Sequence, residues 1–240
     1  MTSAPTTLWA ARASTLYDPA YARRYRAHDD EFNDSEPCRR FAKWLQQVRA
    51  TLPGPIDALD LGCGTGRYFW ALTGVRDLVG IDASAAMLAE ARRPFNADRI
   101  DAARLTLIEG DLFSHHFEDD RFDLVYSIGV LAEHVPFNAA IVARVSRWLR
   151  ANGRFAFTTV HPQSPSIPNT LKRRIGRRIA ALAPAAAAQP IRARLLGGGL
   201  YADETRITEL LTARFAIEAL SQFESEAHRH CWCVARKLPA

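Results

Sequence analysis

Residues 59 to 66 read Leu59-Asp60-Leu61-Gly62-Cys63-Gly64-Thr65-Gly66, and they say most about the architecture of this chain. The apolar run that leads into them predicts a buried strand, and a helical pattern follows them. Glycine adopts backbone conformations that other residues avoid, and it lets a ligand lie directly against the main chain. Such a strand and loop are typical of an α/β sheet that binds its ligand at the strand end.

The spacing of the glycines and the acid beside them indicate the kind of ligand. The loop has the pattern GxGxG, whereas a dinucleotide-binding loop has GxGxxG and seats a pyrophosphate on the next helix. Asp60 would repel a pyrophosphate but attract a ligand that carries positive charge. S-adenosylmethionine carries both an ammonium and a sulfonium group, so the loop favours this cofactor over NAD.

Two further acids follow the next two predicted strands. Asp82 ends the second strand, where open α/β sheets present an acid to ribose hydroxyls. Asp111 follows the third strand, where it could accept a hydrogen bond from the exocyclic amine of a purine. Asp also caps helices and Gly permits tight turns, so each element alone has an equally good structural explanation. Together, in this order, they favour a nucleoside site.

Short apolar runs alternate with longer helical patterns along the chain, which predicts a mostly parallel sheet. The predicted strands are 56–61, 78–82, 105–109, 122–127, 154–159, 215–223 and 229–236. The predicted helices are 68–73, 84–93, 138–149 and 204–212, with one or two before residue 53. Proline and glycine interrupt this rhythm between about residues 161 and 202, which predicts an insertion or lid.

These motifs resemble those of the class I, or seven-stranded, S-adenosylmethionine-dependent methyltransferases over about residues 50–237. Residues 59–66 look like the family's first motif, 80–84 like its second and 109–112 like its third, while 149–155 resemble its turn into the fifth strand. The resemblance implies a Rossmann-like three-layer α/β/α sandwich with a seven-stranded, mostly parallel sheet. We expect a helical cap over residues 1–50, a methyltransferase domain over 51–240 and a basic insertion at about 161–202.

The resemblance also implies roles for individual residues. The glycine loop would contact the methionine part of the cofactor, Asp82 the ribose, and Asp111 with Leu112 the adenine. A helix around Tyr25 would close over the cofactor, although packing within a cap explains its tyrosines equally well. The complete set of expected cofactor-binding residues is Tyr25, Asp60, Gly62, Gly64, Gly66, Asp82, Ala83, Met87, Asp111, Leu112, Ser127 and Ile128.

Methyl transfer is an in-line displacement, so positioning supplies much of the catalysis and a general base is needed only for a protonated acceptor. Neutral histidine suits that task, and His134 and His161 both follow predicted strand ends. Helix capping or packing is the alternative explanation for His134, and the start of the insertion for His161. Many relatives read "VLEHV" where this chain has an added Ala132, which leaves the orientation of His134 open.

The net charge of +5 is unevenly distributed, because eleven Lys or Arg and no Asp or Glu lie between Glu133 and Asp203. An apolar stripe with helical spacing within this stretch predicts a basic amphipathic helix, and its residues are Leu171, Ile175, Ile179 and Leu182. A solvated lid, an anionic small molecule, an anionic membrane and RNA all remain open as explanations of its charge. Four scattered cysteines predict neither a disulfide framework nor a metal site.

A chain of 240 residues with 48% hydrophobic content predicts one domain with appendages. The first thirty residues lack a signal-peptide or membrane-spanning pattern, so we expect a cytoplasmic enzyme. The leading hypothesis is methyl transfer to O, N or C of a small-molecule acceptor of secondary or quinone-type metabolism. Small molecules are favoured over nucleic acid, because no appended RNA-binding module is recognisable. An RNA or protein methyltransferase and a cofactor-binding protein without methyl transfer are the alternatives, and the oligomeric state stays open.

Overall fold

The computed structural model describes residues 11, 15–32, 34–167, 201–224 and 228–239. The helices with described bounds are α1 (Pro19–Phe32), α2 (Glu36–Ala50), α3 (Ala85–Ala91), α4 (Ala139–Trp148) and α5 (Glu204–Leu211). The strands are β1 (Ile56–Leu61), β2 (Val75–Asp82), β3 (Ala102–Glu109), β4 (Phe122–Ser127), β5 (Leu149–Val160), β6 (Phe215–Glu224) and β7 (Arg229–Lys237).

The seven strands form one sheet in the order β3-β2-β1-β4-β5-β7-β6. Strands β1 to β5 run parallel to their neighbours among themselves, while β7 runs antiparallel to both β5 and β6. The predicted seven-stranded, mostly parallel sheet is therefore confirmed. The strand order reverses at β1, which lies between β2 and β4, and in open α/β sheets a ligand crevice opens at the strand carboxyl ends at such a point.

Apolar side chains cover both faces of the sheet. β1 is buried along its whole length, and its successive residues point to opposite faces. Leu59 and Leu61 pack in a cluster with residues of α4 and α5, whereas Ala58 packs in a second cluster with residues of α2 and α3. Helices thus lie on both faces, which confirms the three-layer α/β/α sandwich.

One predicted helix is wrong. Residues 68–73 form only a 3₁₀ turn, Phe69–Ala71. Gly66 and Gly74 bracket this segment with φ angles of 77° and 60°, which leaves room for a single turn between them. Phe69 and Ala71 are fully buried and Trp70 is partly buried, so the segment lacks the polar face of an amphipathic helix.

The turn into β5 differs from the prediction in its extent. β5 begins at Leu149, and its pairing with β4 shifts register between Phe122 and Leu124, so the turn is carried as an irregularity within the strand. Asn152 has a φ of 63°, which lies in the left-handed region that Asn tolerates. A Cβ on Gly153 would lie 2.9 Å from the carbonyl oxygen of Arg150, so that position requires glycine.

Both helices before residue 53 agree with the predicted N-terminal helical segment. α2 buries Trp44, Leu45 and Val48 against the sheet, and the side chain of Ser35 accepts a hydrogen bond from the backbone N–H of Cys38 at its start. α1 contacts α3 instead. α2 is therefore part of one layer of the sandwich, and the division between a cap over 1–50 and a domain over 51–240 stays a prediction.

The expected insertion begins and ends at one place on the sheet. The hydroxyl of Thr159 donates to the carbonyl of Ala202 at 2.9 Å, and the N–H of Ala202 donates to the carbonyl of Val160 at 3.2 Å. The chain therefore leaves the sheet after β5 and returns beside the same residues. Residues 168–200, including the predicted basic amphipathic helix, lie outside the described residues.

The two cysteines of β7 share one face of the sheet. Cys231 and Cys233 are two residues apart on this strand, and both are fully buried in one apolar cluster. Within the described ranges, no group of three or more His, Cys, Asp or Glu side chains could hold a metal ion. None of the described helices is long and apolar enough to cross a membrane.

Candidate active site

The glycine loop turns directly after β1 with three left-handed residues. The φ angles of Gly62, Gly64 and Gly66 are 75°, 55° and 77°. A Cβ on Gly62 would approach the Val130 side chain to 2.6 Å, and one on Gly66 would approach the Phe69 ring to 2.5 Å. The loop therefore keeps its main chain bare for two reasons, the backbone conformation and the lack of space for a side chain.

Three carboxylates lie around this loop at the ends of adjacent strands. The Asp82 carboxylate accepts from the backbone N–H of Gly64 at 3.0 Å and of Ser84 at 2.9 Å. Burial raises its pKa, although these backbone hydrogen bonds act in the opposite direction. Asp111 accepts from the N–H of Phe113 at 3.0 Å. Both acids are thus held in fixed orientations by the turns that follow their strands.

Asp60 is the most perturbed of the three acids. It is 5% exposed, and burial raises the pKa of its carboxyl to about 8, with a smaller contribution from the charge of Asp82. The hydroxyl of Tyr126 lies close enough to lower this pKa, but it is buried without a hydrogen bond of ordinary geometry. A positively charged ligand would stabilise the ionised form of Asp60.

A cavity of about 430 Å³ joins these features. Ten of the twelve residues predicted to bind the cofactor line it, namely Tyr25, Asp60, Gly62, Gly64, Asp82, Ala83, Met87, Asp111, Leu112 and Ile128. Its other lining residues include Tyr17, Tyr21, Phe41, Arg67, Tyr68, Glu133, His134, His228 and His230. The sequence did not single these out, apart from His134 and the tyrosine-bearing helix.

Gly66 and Ser127 belong to the predicted set but do not line the cavity. Gly66 lies against the ring of Phe69 and turns the chain away from the loop. Ser127 is fully buried, and its hydroxyl donates to the carbonyl of Leu61 at 2.9 Å. Both residues therefore support the loop and the neighbouring strands β1 and β4.

The N-terminal helix is fixed to the glycine loop by a buried carboxylate. Asp29 of α1 is 1% exposed and accepts hydrogen bonds from the hydroxyl of Thr65 and from Nε of Arg67, the latter at 2.6 Å. The guanidinium of Arg67 also lies 4.9 Å from the ring centroid of Tyr25. The spacing of Tyr25 and Asp29 by four residues, on one helix face, is the signal that could have revealed this contact.

The segment after β4 brings two titratable side chains to the cavity. Ala132 has a φ of 57°, and the N–H groups of Glu133, His134 and Val135 all point to the carbonyl of Val130. The added alanine therefore tightens the turn, and both Glu133 and His134 line the cavity.

Glu133 and His134 differ in their surroundings. Burial raises the pKa of Glu133 to about 7. The Nδ1 atom of His134 lies 2.9 Å from the hydroxyl of Tyr17, and its Nε2 atom lies 3.8 Å from a carboxylate oxygen of Glu133. Tyr17 itself is held by the hydroxyl of Ser84, which donates to its carbonyl at 2.8 Å. The side chains of Tyr17, His134 and Glu133 thus form a continuous polar row.

His161 occupies a different place. It is 8% exposed and is not among the described residues that line the cavity. Its Nδ1 atom accepts from the N–H of Gln163 at 3.1 Å, and its Nε2 atom lies 3.7 Å from a carboxylate oxygen of Glu204. The structure therefore places His161 at the start of the insertion, beside α5.

A family model and curated relatives match part of the chain. Residues 58–153 match a family model described as a methyltransferase domain. The ubiquinone biosynthesis O-methyltransferase of Pasteurella multocida is 33% identical over 111 residues, which cover 43% of this chain and 46% of that protein. A malonyl-[acyl-carrier protein] O-methyltransferase of Pectobacterium atrosepticum is 32% identical over 107 residues, which cover 44% and 39%. The chain spans less than half of the length of these two relatives.

Solved structures match nearly the whole chain. An S-adenosylmethionine-dependent methyltransferase from Mesorhizobium loti is 28% identical, with a TM-score of 0.54 over 82% of this chain and 98% of that one. The magnesium protoporphyrin IX methyltransferase of Synechocystis PCC 6803, with bound SAH, has the same fold at 18% identity, with a TM-score of 0.63 over 95% and 99%.

The sheet order, the glycine loop and the strand-end acids define a Rossmann-like methyltransferase fold. Residues 58–153 are similar in sequence to methyltransferase domains, and the described part of the chain has the fold of S-adenosylmethionine-dependent methyltransferases.

Proposed function

We propose that this chain binds S-adenosylmethionine in the acidic part of the cavity and transfers its methyl group to a small-molecule acceptor. One observation carries the proposal: carboxylates from three adjacent strand ends, Asp60, Asp82 and Asp111, line one cavity with the glycine loop. A cavity of about 430 Å³ has the size of small-ligand sites.

The residues around the loop fit the parts of this cofactor. The bare main chain at Gly62 and Gly64 accommodates the methionine part, and ionised Asp60 pairs with its positive charge. Asp82 accepts from the ribose hydroxyls, and Asp111 with Leu112 contacts the adenine. When bound, the cofactor supplies a methyl group on a sulfonium, which is electrophilic without further activation.

The polar row of Tyr17, His134 and Glu133 serves the acceptor. A hydroxyl or ammonium acceptor must lose a proton, and a carboxylate with a pKa of about 7 is suited to take it near neutral pH. We therefore assign proton acceptance to Glu133 and its orientation to His134, which Tyr17 holds from the other side. His161 has its nitrogens directed at Gln163 and Glu204, so we leave it out of the reaction.

Calorimetric titration with S-adenosylmethionine and S-adenosylhomocysteine tests the cofactor, and mass spectrometry of a small-molecule panel incubated with the enzyme tests methyl transfer. Asp82→Asn should weaken binding of both nucleosides, whereas the matched variant Asp98→Asn, at an exposed position, should not. Binding without any methylated product would instead favour a cofactor-binding protein. Salt-dependent retention and methylation of RNA would favour a nucleic-acid acceptor.

A further inference from the structure

We propose that one end of the cavity is the acceptor site, and that it takes a planar aromatic ring with a hydroxyl substituent. This inference rests on the proposed function, because it names the acceptor class of that reaction. We call this end the aromatic chamber and define it by Phe41, Tyr68 and His230, which line the cavity.

Three separate elements supply the walls of the aromatic chamber. Phe41 lies on α2, Tyr68 follows the glycine loop, and His230 lies on β7. The Phe41 ring meets the His230 ring edge-on, with centroids 5.6 Å apart and planes at 88°, and meets Tyr68 at 6.3 Å and 72°. Edge-to-face contacts fix the orientation of each ring, so the chamber presents aromatic surface in a defined geometry.

A second layer of aromatic residues supports these walls. Trp232 lies 5.5 Å from Phe41 and 5.5 Å from Phe223, measured between ring centroids. The guanidinium of Arg40 lies 4.1 Å from the centroid of Phe223 and shields its ring. Because Phe41 is held by this layer, little ordering is needed when a flat apolar ligand binds.

His230 adds a polar group to the apolar walls. Its Nδ1 atom is buried without a hydrogen-bond partner. Burial, followed by the neighbouring ring of His228, lowers the pKa of His230 to about 4, so the ring is neutral at pH 7. A neutral imidazole has one N–H donor and one acceptor nitrogen, and a hydroxyl group can pair with either. An aromatic hydroxyl would therefore fill the chamber and satisfy a buried polar atom.

The acids that line the cavity and the residues of the aromatic chamber differ in charge. The acids Asp60, Asp82 and Asp111 surround the glycine loop, whereas a neutral imidazole and aromatic rings form the chamber. A neutral hydroxylated ring suits the chamber without competing for the acids. In the transfer, the acceptor oxygen accepts a hydrogen bond from the N–H of His230, which leaves its own proton free for Glu133. This oxygen forms a bond to the methyl carbon as the carbon–sulfur bond breaks, sulfur keeps that electron pair, and the hydroxyl proton passes to Glu133.

Calorimetric titration of the adenosylhomocysteine-saturated chain with 1-naphthol, naphthalene and cyclohexanol tests the aromatic chamber. We expect 1-naphthol to bind at least tenfold more tightly than cyclohexanol. His230→Phe should weaken 1-naphthol binding about tenfold and leave naphthalene binding unchanged, because only the hydroxyl loses its partner. Phe41→Ala should weaken the binding of both 1-naphthol and naphthalene. His116→Phe, the same substitution at an exposed position, should change neither.

Equal affinity of the parent chain and His230→Phe for 1-naphthol overturns the proposal, as does binding of cyclohexanol as tightly as 1-naphthol, or binding of no ring at all. Adenosylhomocysteine affinity shows that each variant is folded. If His230→Phe no longer binds adenosylhomocysteine, the ¹⁵N NMR signals of His230 in the parent chain test the contact instead. 1-Naphthol should then shift these signals more than naphthalene does. If the parent does not bind adenosylhomocysteine, the proposed function fails, and titrations without it still decide the chamber.

Discussion

Arg67 donates from Nε to the carboxylate of Asp29 at 2.6 Å, and this contact joins helix α1 to the glycine loop. The same carboxylate accepts from the hydroxyl of Thr65, within the loop itself. Residues far apart in sequence are therefore coupled through one buried charge. The helix that carries Tyr25 and the loop that carries the glycines should respond together when this charge is removed.

Asp29→Ala should lower the free energy of unfolding by about 3–5 kcal/mol, because it leaves a largely buried guanidinium without its partner. It should also weaken adenosylhomocysteine binding. The matched variant Asp30→Ala removes an exposed carboxylate that pairs with Arg26, and should cost no more than about 1 kcal/mol. Urea unfolding measures both, and equal losses in the two variants would contradict the coupling.

Asp60 predicts a pH-dependent cofactor affinity. Its pKa of about 8 means that the unliganded protein keeps a proton on this carboxyl near neutral pH. A cationic ligand favours the ionised form, so binding should release close to one proton and affinity should rise about tenfold per pH unit between about pH 5.5 and 7. Asp60→Asn should abolish the slope. Calorimetry in buffers of different ionisation enthalpy counts the protons, and a pH-independent affinity of the parent would refute the prediction.

The same carboxyl should affect stability without ligand. Its pKa in the fold exceeds the ordinary value of 3.8, so the folded chain binds this proton more tightly than the unfolded chain does. The contribution of this proton to the free energy of unfolding is fully present below pH 3.8 and is lost as the pH rises towards 8. Asp60→Asn should therefore melt at a higher temperature than the parent near about pH 8, with a smaller difference near about pH 5. A difference that grows on acidification would show the opposite sign.

Glu133 predicts the pH profile of turnover. If its carboxylate accepts the proton of a hydroxyl acceptor, kcat should rise with pH through about 7 and then level off. Glu133→Gln should lower kcat by about 10²–10⁴ and remove the rise. His134→Ala should lower kcat less and retain the rise. Steady-state rates across this pH range measure the effect, and a Glu133→Gln enzyme with the parental profile would transfer the role to His134.

The turn into β5 predicts an asymmetry between two adjacent residues. Asn152→Gly should change the free energy of unfolding little, because glycine suits the φ of 63°, whereas Asn152→Val should cost about 1–2 kcal/mol. Gly153→Ala should also destabilise the chain, because its Cβ would meet the backbone of Arg150 at 2.9 Å. Thermal denaturation of the three variants compares them. Stability of Gly153→Ala equal to that of the parent would argue against the close approach.

The elements that sequence predicts best are those with local signals. The apolar run of β1 and the acids that follow β2 and β3 reveal the sheet and the cofactor side of the cavity, because strand ends meet at one edge. The sequence predicts a longer helix at the 3₁₀ turn Phe69–Ala71, because a short apolar run does not distinguish a single turn from a helix. Glu133 reaches the cavity because Ala132 adopts a left-handed conformation, and His230 does so because β7 pairs antiparallel with β5. No pattern in the neighbouring residues of the sequence predicts either placement.

The hydrogen bonds between Ala202 and residues Thr159 and Val160 mark a position where the fold can accept insertions of different length. A segment inserted there starts and ends at residues that are hydrogen-bonded to each other. The entropic cost of closing such a loop grows only slowly with its length. Segments of different length and charge could be exchanged at this position while the sheet and the acids of the cofactor site stay as they are. The length and charge of this segment are in that sense modular, since one segment can be replaced without a change in the rest of the sheet.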